Sequence, residues 1–486
     1  MLTRLKVDGF KNLDGVDVCF GAFTCVVGAN GVGKSNLFDA IAFLAALAER
    51  PLAEAAARVR GTEGRIGDVR ALFTQRGDRR ATEMGFLVEM IVPREGVDEL
   101  GSPAKASMTF LRYELRLKLR TENPALGPLE LVREQMTHIN KSDAHEVLGF
   151  PHKVVWRDSV ILGRRTVPYI ETDDERVLLR ADSEGGGGGP RTLRAASLPR
   201  TVLSTATNAA EHRTLVLARQ EMMGWTQFQL EPTALRAPDP FHAPRRVGPN
   251  GAHLPAALVG LAEEAERAAL GSGVDVFGRV ANRLAELFEN VRSIRVDADP
   301  KRELYSVILR DLQGGEHPAS SLSDGTLRFL ALAIIEASDQ GPGLLCLEEP
   351  ENGIHPDRIP SMIRLLRDIA VDVTEAAGPD NPMRQVIINT HAPGVVQTVP
   401  HEDIVTAVAT EGVFDGVRSR PLRLSCLPRT WRAPQDEPSS LIPILPFVQA
   451  PRPAEEGPVP RSERRLAHRD DLRQLGLFAD GLRETP

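Results

Sequence analysis

A glycine-rich loop between a predicted strand and a predicted helix constrains this chain more than any other feature. Residues 22–27 (AFTCVV) predict a buried strand, and residues 35–49 carry apolar side chains at helical spacing. Between them, residues 28–35 (GANGVGKS) fit the pattern GxxxxGK[ST]. Glycines let the backbone wrap closely around phosphate groups, and a helix N-terminus adds a favourable potential for an anion. The segment therefore predicts a phosphate-binding loop, or P-loop, in an α/β sheet.

Two side chains of this loop have specific predicted roles. Lys34 is expected to reach the β- and γ-phosphates, and the Ser35 hydroxyl to bind Mg²⁺. The alternative is an ordinary glycine turn followed by a lysine. That alternative is weaker because the strand, the loop and the helix occur together.

A pair of carboxylates follows a second apolar segment. Residues 344–347 (LLCL) predict a buried strand, and Glu348 and Glu349 come directly after it. The carboxyl ends of parallel strands face the ligand crevice of an α/β sheet. We therefore expect Glu348 to face Mg²⁺ and Glu349 to face the attacking water as a general base. Taken alone, two glutamates after a strand are also typical of a solvated loop.

His391 follows the apolar run 385–389, at the end of a third predicted core strand. It is either a structural histidine or a donor to the γ-phosphate or the water.

A turn of small residues, 322–326 (LSDGT), opens the predicted helix 325–338. Ser323 or Asp324 is expected to cap that helix, and a capped helix N-terminus is also an anion site. If Ser323 and Gly325 bind a γ-phosphate, one chain holds two phosphate-binding surfaces.

Composition narrows the class of protein. With 59 Lys and Arg against 66 Asp and Glu, the 486-residue chain has a net charge of −7, which argues against a protein that coats nucleic acid along its whole length. The four cysteines form no CxxC pattern, the N-terminus carries charges where a signal peptide needs apolar residues, and no apolar run approaches a membrane span. The sequence predicts a soluble, cytoplasmic protein without a membrane partner.

The organisation along the chain predicts four segments. These are an N-lobe with the P-loop (1–150), an inserted arm or lid region (151–290), a C-lobe (291–420) and a tail rich in proline and arginine (421–486). Strict alternation within 107–120 predicts a half-solvated antiparallel sheet. Dense proline without periodicity predicts a disordered linker over 432–465.

The motifs together resemble a known family. The order GANGVGKSN, LSDGT, LLCLEEPENGIHP and NTHAPG is similar to that of ABC-type ATPase heads, and more closely to the RecF/SMC-like group of bacterial AAA family ATPases (AAA_21-like). The resemblance covers about 1–60, 225–265 and 305–400. It implies a P-loop NTPase head with an antiparallel β subdomain and an inserted α/β arm.

The resemblance also implies roles for matching residues and a mode of action. ATP with Mg²⁺ would lie between two heads dimerised head-to-tail, the signature of one facing the P-loop of the other. The implied residues are the Walker A loop (Asn30, Gly31, Gly33, Lys34, Ser35 and Asn36), the signature (Ser323 and Gly325), Walker B (Glu348 and Glu349), the D-loop (Glu351 and Asn352) and the switch histidine (His391).

This sequence departs from the family pattern at three points. Glu348 stands where the usual metal ligand is an aspartate, so Mg²⁺ would be held through water or more weakly. The Q-loop glutamine has one weak candidate, Gln75. No DxD-type acidic cluster follows residue 400, so any nuclease is expected to be a separate partner rather than a fused TOPRIM domain.

The tail contains a short segment, 474–478 (QLGLF), that resembles the peptide by which bacterial polymerases and repair proteins bind the sliding clamp. Leu475, Leu477 and Phe478 would enter an apolar groove, with Gln474 fixing the orientation. The alternative is a short helix that docks Leu472, Leu475 and Phe478 onto the head.

The sequence thus predicts a Mg²⁺-dependent ATPase whose ATP-driven dimer acts on DNA in repair, replication maintenance or phage defence. Three alternatives remain: a regulatory ATPase paired with a toxin nuclease, a transporter nucleotide-binding subunit, and a binding module with negligible turnover.

Overall fold

The structure is a computed structural model of the chain. It describes residues 1–59, 68–121, 127–182, 189–268, 275–338, 341, 343–414, 417–433 and 442–448. The predicted clamp-binding peptide, 474–478, lies outside the described residues, as does most of the predicted linker.

The strands and helices are listed here in chain order. The strands are β1 (Leu2–Asp8), β2 (Val16–Cys19), β3 (Phe23–Val27), β4 (Gln75–Arg76), β5 (Arg79–Arg80), β6 (Glu83–Ile91), β7 (Glu95–Val97), β8 (Pro103–Lys105), β9 (Phe110–Leu119), β10 (Leu129–His138), β11 (Ile170–Asp173), β12 (Arg176–Leu179), β13 (Arg191–Arg194), β14 (Trp225–Phe228), β15 (Asp239–Pro240), β16 (Val291–Asp299), β17 (Leu304–Asp311), β18 (Glu316–Pro318), β19 (Leu344–Glu348), β20 (Gln385–Thr390), β21 (Ile404–Ala409), β22 (Gly412–Phe414), β23 (Val417–Ser419) and β24 (Leu422–Cys426). The helices are α1 (Lys34–Leu47), α2 (Leu52–Arg58), α3 (Ala144–Leu148), α4 (Val154–Val160), α5 (Ala209–Met223), α6 (Pro232–Arg236), α7 (Leu254–Ala268), α8 (Val276–Ala285), α9 (Asp324–Ala337), α10 (Ile359–Ile369), α11 (Pro393–Thr398) and α12 (Leu445–Val448).

These elements form two compact units. The first comprises Met1–Thr226, Val371–Gln385 and Glu402–Ile444. The second comprises Gln227–Ala370, Val386–His401 and the described residues from Leu445. The four predicted segments remain a prediction.

An antiparallel sheet of eight strands dominates the first unit, in the order β13-β12-β11-β10-β9-β6-β1-β2. In β9 the alternation predicted for 107–120 is present: Tyr113, Leu115 and Leu117 are buried, whereas Arg116 between them is exposed. Alternate burial follows from the period of two in a strand with one solvated face. The sheet therefore has one apolar face and one charged face.

The first unit also holds the strand that carries the P-loop. All five residues of β3 are buried, and β3 pairs in parallel with β21, which pairs antiparallel with β24. Helix α1 begins directly after the loop, as predicted, and buries Leu37, Phe38 and Ile41. The buried strand and the apolar helix face fix both ends of the loop.

The second unit holds the other predicted motifs. Strands β14, β19 and β20 neighbour each other in that order, so the predicted strands 344–347 and 385–389 are side by side. A separate sheet contains β15, β17, β16 and β18. Helix α9 is buried on most of its surface and packs against α6, α8 and α10.

The predicted fold class is confirmed: the chain is an α/β P-loop protein with an antiparallel β subdomain. One part of the linker prediction is wrong, because residues 442–448 form a short 3-10 turn and α12, with Phe447 and Val448 buried. No helix among the described residues is long and apolar enough to cross a membrane.

Candidate active site

The P-loop has a backbone suited to an anion. Gly31 and Gly33 have φ values of 79° and 102°, in the region that side chains with a Cβ rarely adopt. Gly33 is the residue before the first turn of α1, so the loop leads directly into the helix N-terminus. Amide groups in such a turn can point at one ligand, which is the arrangement that binds phosphate.

Lys34 lies against the loop that it follows. Its Nζ donates to the carbonyl oxygens of Gly28 at 2.7 Å and Ala29 at 3.0 Å, and the residue is buried. Asn30 and Gly31 at the tip of the loop are exposed, and Ser35 and Asn36 are half-buried. The predicted Walker A residues thus share one loop, with the ammonium group held beside it.

Asn12 braces this loop, and sequence reasoning missed it. Its Nδ2 donates to the Val32 carbonyl at 3.0 Å, and its Oδ1 accepts from Asn36 Nδ2 at 2.7 Å. A Cβ on Gly33 would lie 2.1 Å from the Asn12 side-chain amide nitrogen, so a larger residue there would displace Asn12 from the loop. The preceding residue, Lys11, pairs with the buried Asp39 of α1 at 2.7 Å. The turn after β1 therefore holds both the loop and the helix.

In the second unit, Glu348 ends β19 and has an amide partner that the motifs did not reveal. Gln227 on the neighbouring strand β14 donates from Nε2 to Glu348 Oε1 at 2.8 Å. Gln75, the weak Q-loop candidate, lies in the first unit, where it bonds to Gly77 and Arg80 in an exposed hairpin. The glutamine beside the predicted metal carboxylate is Gln227.

Glu349 has an unusual backbone for its residue type. Its φ is 45°, in the left-handed region, which costs a residue other than glycine about 1–3 kcal/mol. Its amide nitrogen donates to the Asn389 carbonyl at 3.0 Å, a contact that holds this conformation. Strained backbone of this kind concentrates at functional sites.

The side chain of Glu349 meets the predicted switch histidine. His391 Nδ1 and Glu349 Oε1 are 2.6 Å apart, and Asn352 Nδ2 donates to Glu349 Oε2 at 3.0 Å. The side chains of His391 and Glu349 are 39% and 27% exposed, so both are accessible to water. The structure therefore brings together the two residues predicted to be catalytic.

The buried carboxyl of Glu351 lies within electrostatic reach of both Glu349 and His391. Burial raises its pKa, although the Thr390 hydroxyl donates to one of its oxygens. The Thr390 hydroxyl oxygen also accepts from the Ala392 amide at 2.9 Å. This contact ties the turn after β19 to the end of β20, and it helps to fix the positions of Glu349 and His391.

The predicted signature turn opens α9 in the second unit. Ser323 is the N-cap: its Oγ accepts from the Thr326 amide at 3.2 Å and lies 2.7 Å from the Thr326 hydroxyl. Ser323 itself is exposed, whereas Gly325 is buried. A Cβ on Gly325 would lie 2.8 Å from the Gly353 carbonyl, so the turn packs closely against the segment after β19.

The residues of the P-loop have the chemistry that a triphosphate requires. The P-loop supplies backbone amides and the ammonium group of Lys34, which are donors for phosphate oxygens. Ser35 in the first unit has a hydroxyl oxygen and Glu348 in the second unit has a carboxylate oxygen, and each is a kind of ligand that Mg²⁺ takes.

Three solved SMC heads are similar to this chain at low identity. They are the Smc head bound to the C-winged helix domain of ScpA (14% identity, TM-score 0.44, covering 88% of this chain and 98% of that one), the Smc head with an extended coiled coil bound to the C-terminal domain of ScpA, derived from Pyrococcus furiosus (12%, 0.41, 87% and 96%), and the SMC head domain from Thermotoga maritima (12%, 0.36, 86% and 97%). A search of curated proteins gave no match.

A family model matches residues 23–91 and 128–397, which is more than half of the chain. Its description is "AAA domain, putative AbiEii toxin, Type IV TA system". The matched ranges include the P-loop, the signature turn, both glutamates after β19 and His391. The chain belongs to this family of AAA ATPases (AAA_21), as its resemblance to the RecF/SMC-like group implied.

Proposed function

We propose that this protein binds ATP with Mg²⁺ and hydrolyses it. The observation that carries the proposal is the Glu349–His391 pair, 2.6 Å apart at the ends of neighbouring strands, in a chain that also has a P-loop. A general base must lie within hydrogen-bond reach of the proton that it takes, and both side chains are accessible to water.

Each group has a defined task in this proposal. The P-loop amides and Lys34 would hold the β- and γ-phosphates, and Ser35 and Glu348 would hold Mg²⁺, which would supply positive charge to the phosphates. Glu349 orients the attacking water and accepts its proton. His391 holds the Glu349 carboxylate and donates towards the γ-phosphate. Gln227 orients the Glu348 carboxylate.

The test replaces one oxygen of the proposed base. Glu349→Gln is expected to lower ATP hydrolysis by about 100-fold or more while ATP binding persists, because a general base contributes about 10²–10⁴ in rate. Glu316→Gln, which changes an exposed glutamate on β18 of the same unit, is the matched control and should keep parental activity. A Glu349→Gln variant as fast as the parent contradicts the assignment. A parent that binds ATP without turnover supports a binding module instead.

We further propose that ATP closes a head-to-tail homodimer. Two separate surfaces of one chain support this, namely the P-loop and the exposed Ser323 at the start of α9. Both are helix N-termini that suit an anion, and a two-fold assembly places each opposite the other. Sedimentation of Glu349→Gln with and without ATP and Mg²⁺ tests this, and a monomer under both conditions contradicts it.

The dimer is proposed to act on DNA in the cytoplasm, in repair, replication maintenance or phage defence. Support comes from the resemblance to RecF/SMC-like proteins, and stimulation of ATP hydrolysis by DNA is the test. The segment 474–478 remains a prediction of sliding-clamp binding, tested by a pull-down with Leu477→Ala and Phe478→Ala as the control. Clamp retention by that double variant would remove the clamp hypothesis.

A second candidate function is regulation of a toxin or a separate nuclease. The family description names a toxin of a type IV toxin–antitoxin system, which favours this alternative over a transporter subunit. Expression of the parent and of Lys34→Ala, each with and without the products of neighbouring genes, distinguishes this regulatory function from DNA maintenance. Growth arrest that requires Lys34 and a neighbouring gene favours the regulatory function; arrest in none of the cultures favours DNA maintenance.

A further inference from the structure

Arg236 holds the signature turn from a separate element. It is the last residue of α6, and its Nη2 donates both to the Leu322 carbonyl at 2.9 Å and to the carboxylate of Asp324. These two acceptors lie on either side of Ser323 in the sequence. Its Nη1 donates to the Pro232 carbonyl of its own helix at 3.0 Å, which fixes the guanidinium plane. One guanidinium nitrogen, Nη2, therefore contacts both residues that flank the capping serine.

A second close contact, at Gly325, also confines the turn. Gly325 lies so close to the Gly353 carbonyl that a Cβ would approach it to 2.8 Å. The turn between Arg236 and Gly353 thus has little freedom to shift. Ser323 as a whole remains exposed, while its hydroxyl oxygen accepts from the Thr326 amide.

Asp324 makes this arrangement necessary in electrostatic terms. It places a carboxylate next to Ser323, at a turn whose proposed ligand is a triphosphate, and its side chain is 44% exposed. A like charge at this position repels the ligand, and an adjacent guanidinium offsets the repulsion. The Arg236 side chain is 28% exposed, so the pair is only partly screened by water.

We infer that Arg236 is a positioning residue for nucleotide binding at the signature turn: it neutralises Asp324 and fixes Ser323 so that the turn accepts a triphosphate carried by a second copy of this chain. This inference rests on the proposed ATP-dependent dimer and assigns that interface a residue that the motifs do not contain. Arg236 acts through the turn and is not assigned contact with the reacting atoms.

The experiment measures ATP-dependent dimerisation in the Glu349→Gln background, with ATP and Mg²⁺, by sedimentation. Arg236→Ala is expected to raise the dimer dissociation constant by about tenfold or more, because the loss of hydrogen bonds to a charged group weakens an equilibrium by that factor. ATP binding to the monomer should stay within about twofold of the parent, because the P-loop is untouched. Arg236→Lys keeps the positive charge but loses the planar guanidinium group. Its dimer dissociation constant should lie between those of the parent and of Arg236→Ala.

A charge rescue separates this role from a merely structural one. Adding Asp324→Asn to Arg236→Ala removes the uncompensated carboxylate, so the double variant should dimerise more tightly than Arg236→Ala, but less tightly than Asp324→Asn alone because the contact with the Leu322 carbonyl is still missing. A purely structural arginine would leave the double variant as weak as Arg236→Ala, and that result overturns the inference. Arg245→Ala removes another half-exposed arginine of the same unit, paired with Glu263 at 3.2 Å, and should change nothing.

Two failures remain distinguishable. If the Glu349→Gln protein does not dimerise with ATP, the proposed dimer is wrong and the inference falls with it. If it dimerises and Arg236→Ala dimerises equally well, the dimer stands and the inference is wrong. Thermal unfolding of each variant identifies any loss that comes from an unfolded protein.

Discussion

Glu349 combines a strained backbone with the proposed role of general base, and the two properties separate by substitution. A left-handed conformation costs an L-residue roughly 1–2 kcal/mol relative to glycine. Glu349→Gly and Glu349→Ala both remove the carboxylate, but only glycine relieves the backbone at φ 45°. The pair therefore isolates strain from chemistry.

We expect both variants to lose about 100-fold or more of ATP hydrolysis, whereas Glu349→Gly should exceed Glu349→Ala in the free energy of unfolding by about 1 kcal/mol. Urea unfolding and a steady-state assay measure the two quantities. A glycine variant that is less stable than the alanine variant would show that this conformation is not strained.

At the scale of single residues, sequence patterns can locate a residue that directly follows a recognisable strand or loop. Glu349 and His391 were chosen because each follows an apolar run, and the structure places them in contact. Gln227 was missed because its contact with Glu348 joins positions 121 residues apart, and no local pattern encodes such a pairing. Arg236 was missed for the same reason, since it meets Asp324 across 88 residues.

At the scale of elements, prediction depended on the strength of periodicity. Strand β9 was predicted because its apolar and charged side chains alternate, and helix α1 because its apolar residues recur at helical spacing. Strands β11, β12 and β13 were not predicted, since each has only four residues and at least one of the four is exposed. Their order in the eight-stranded sheet comes from pairing between distant segments, which sequence patterns do not specify.

A buried carboxyl joins strand β10 of the eight-stranded sheet to a distant segment of the chain. Glu134 of β10 accepts from the amides of Val202 at 2.6 Å and Leu203 at 2.8 Å, and from the Tyr113 hydroxyl at 3.1 Å. Burial nevertheless dominates these donors and raises the pKa of Glu134 to about 7. The folded protein therefore binds this proton more tightly than the unfolded chain does.

Glu134 therefore makes the folded protein less stable as pH rises. The stability linked to Glu134 is fully present below its unfolded pKa of 4.5 and is lost as pH rises through about 7. The loss is about 3 kcal/mol. Glu134→Gln should flatten this slope, which urea unfolding at pH 5 and pH 8 measures. The control Glu130→Gln, on the same strand, leaves Glu134 in place and should keep the parental dependence of unfolding free energy on pH. An unchanged pH dependence in Glu134→Gln contradicts the assignment.

The whole molecule carries a net charge of −7, so a proposed contact with DNA must be local rather than spread over the surface. The same scale governs the proposed dimer, because the P-loop lies in the first unit and Ser323 in the second. In a head-to-tail dimer, each active site takes its P-loop from one subunit and its signature turn from the other. Two inactive variants should therefore complement each other when mixed.

Lys34→Ala damages the P-loop and leaves the signature turn, whereas Ser323→Arg damages the signature turn and leaves the P-loop. Each alone should be inactive. In an equal mixture half of the dimers are mixed, and each mixed dimer has one intact site, so the mixture should recover about a quarter of parental ATP hydrolysis. Lys34→Ala mixed with Ser35→Ala should recover nothing, because no combination restores a P-loop. Equal inactivity of both mixtures would mean that a single chain supplies every group around its own nucleotide.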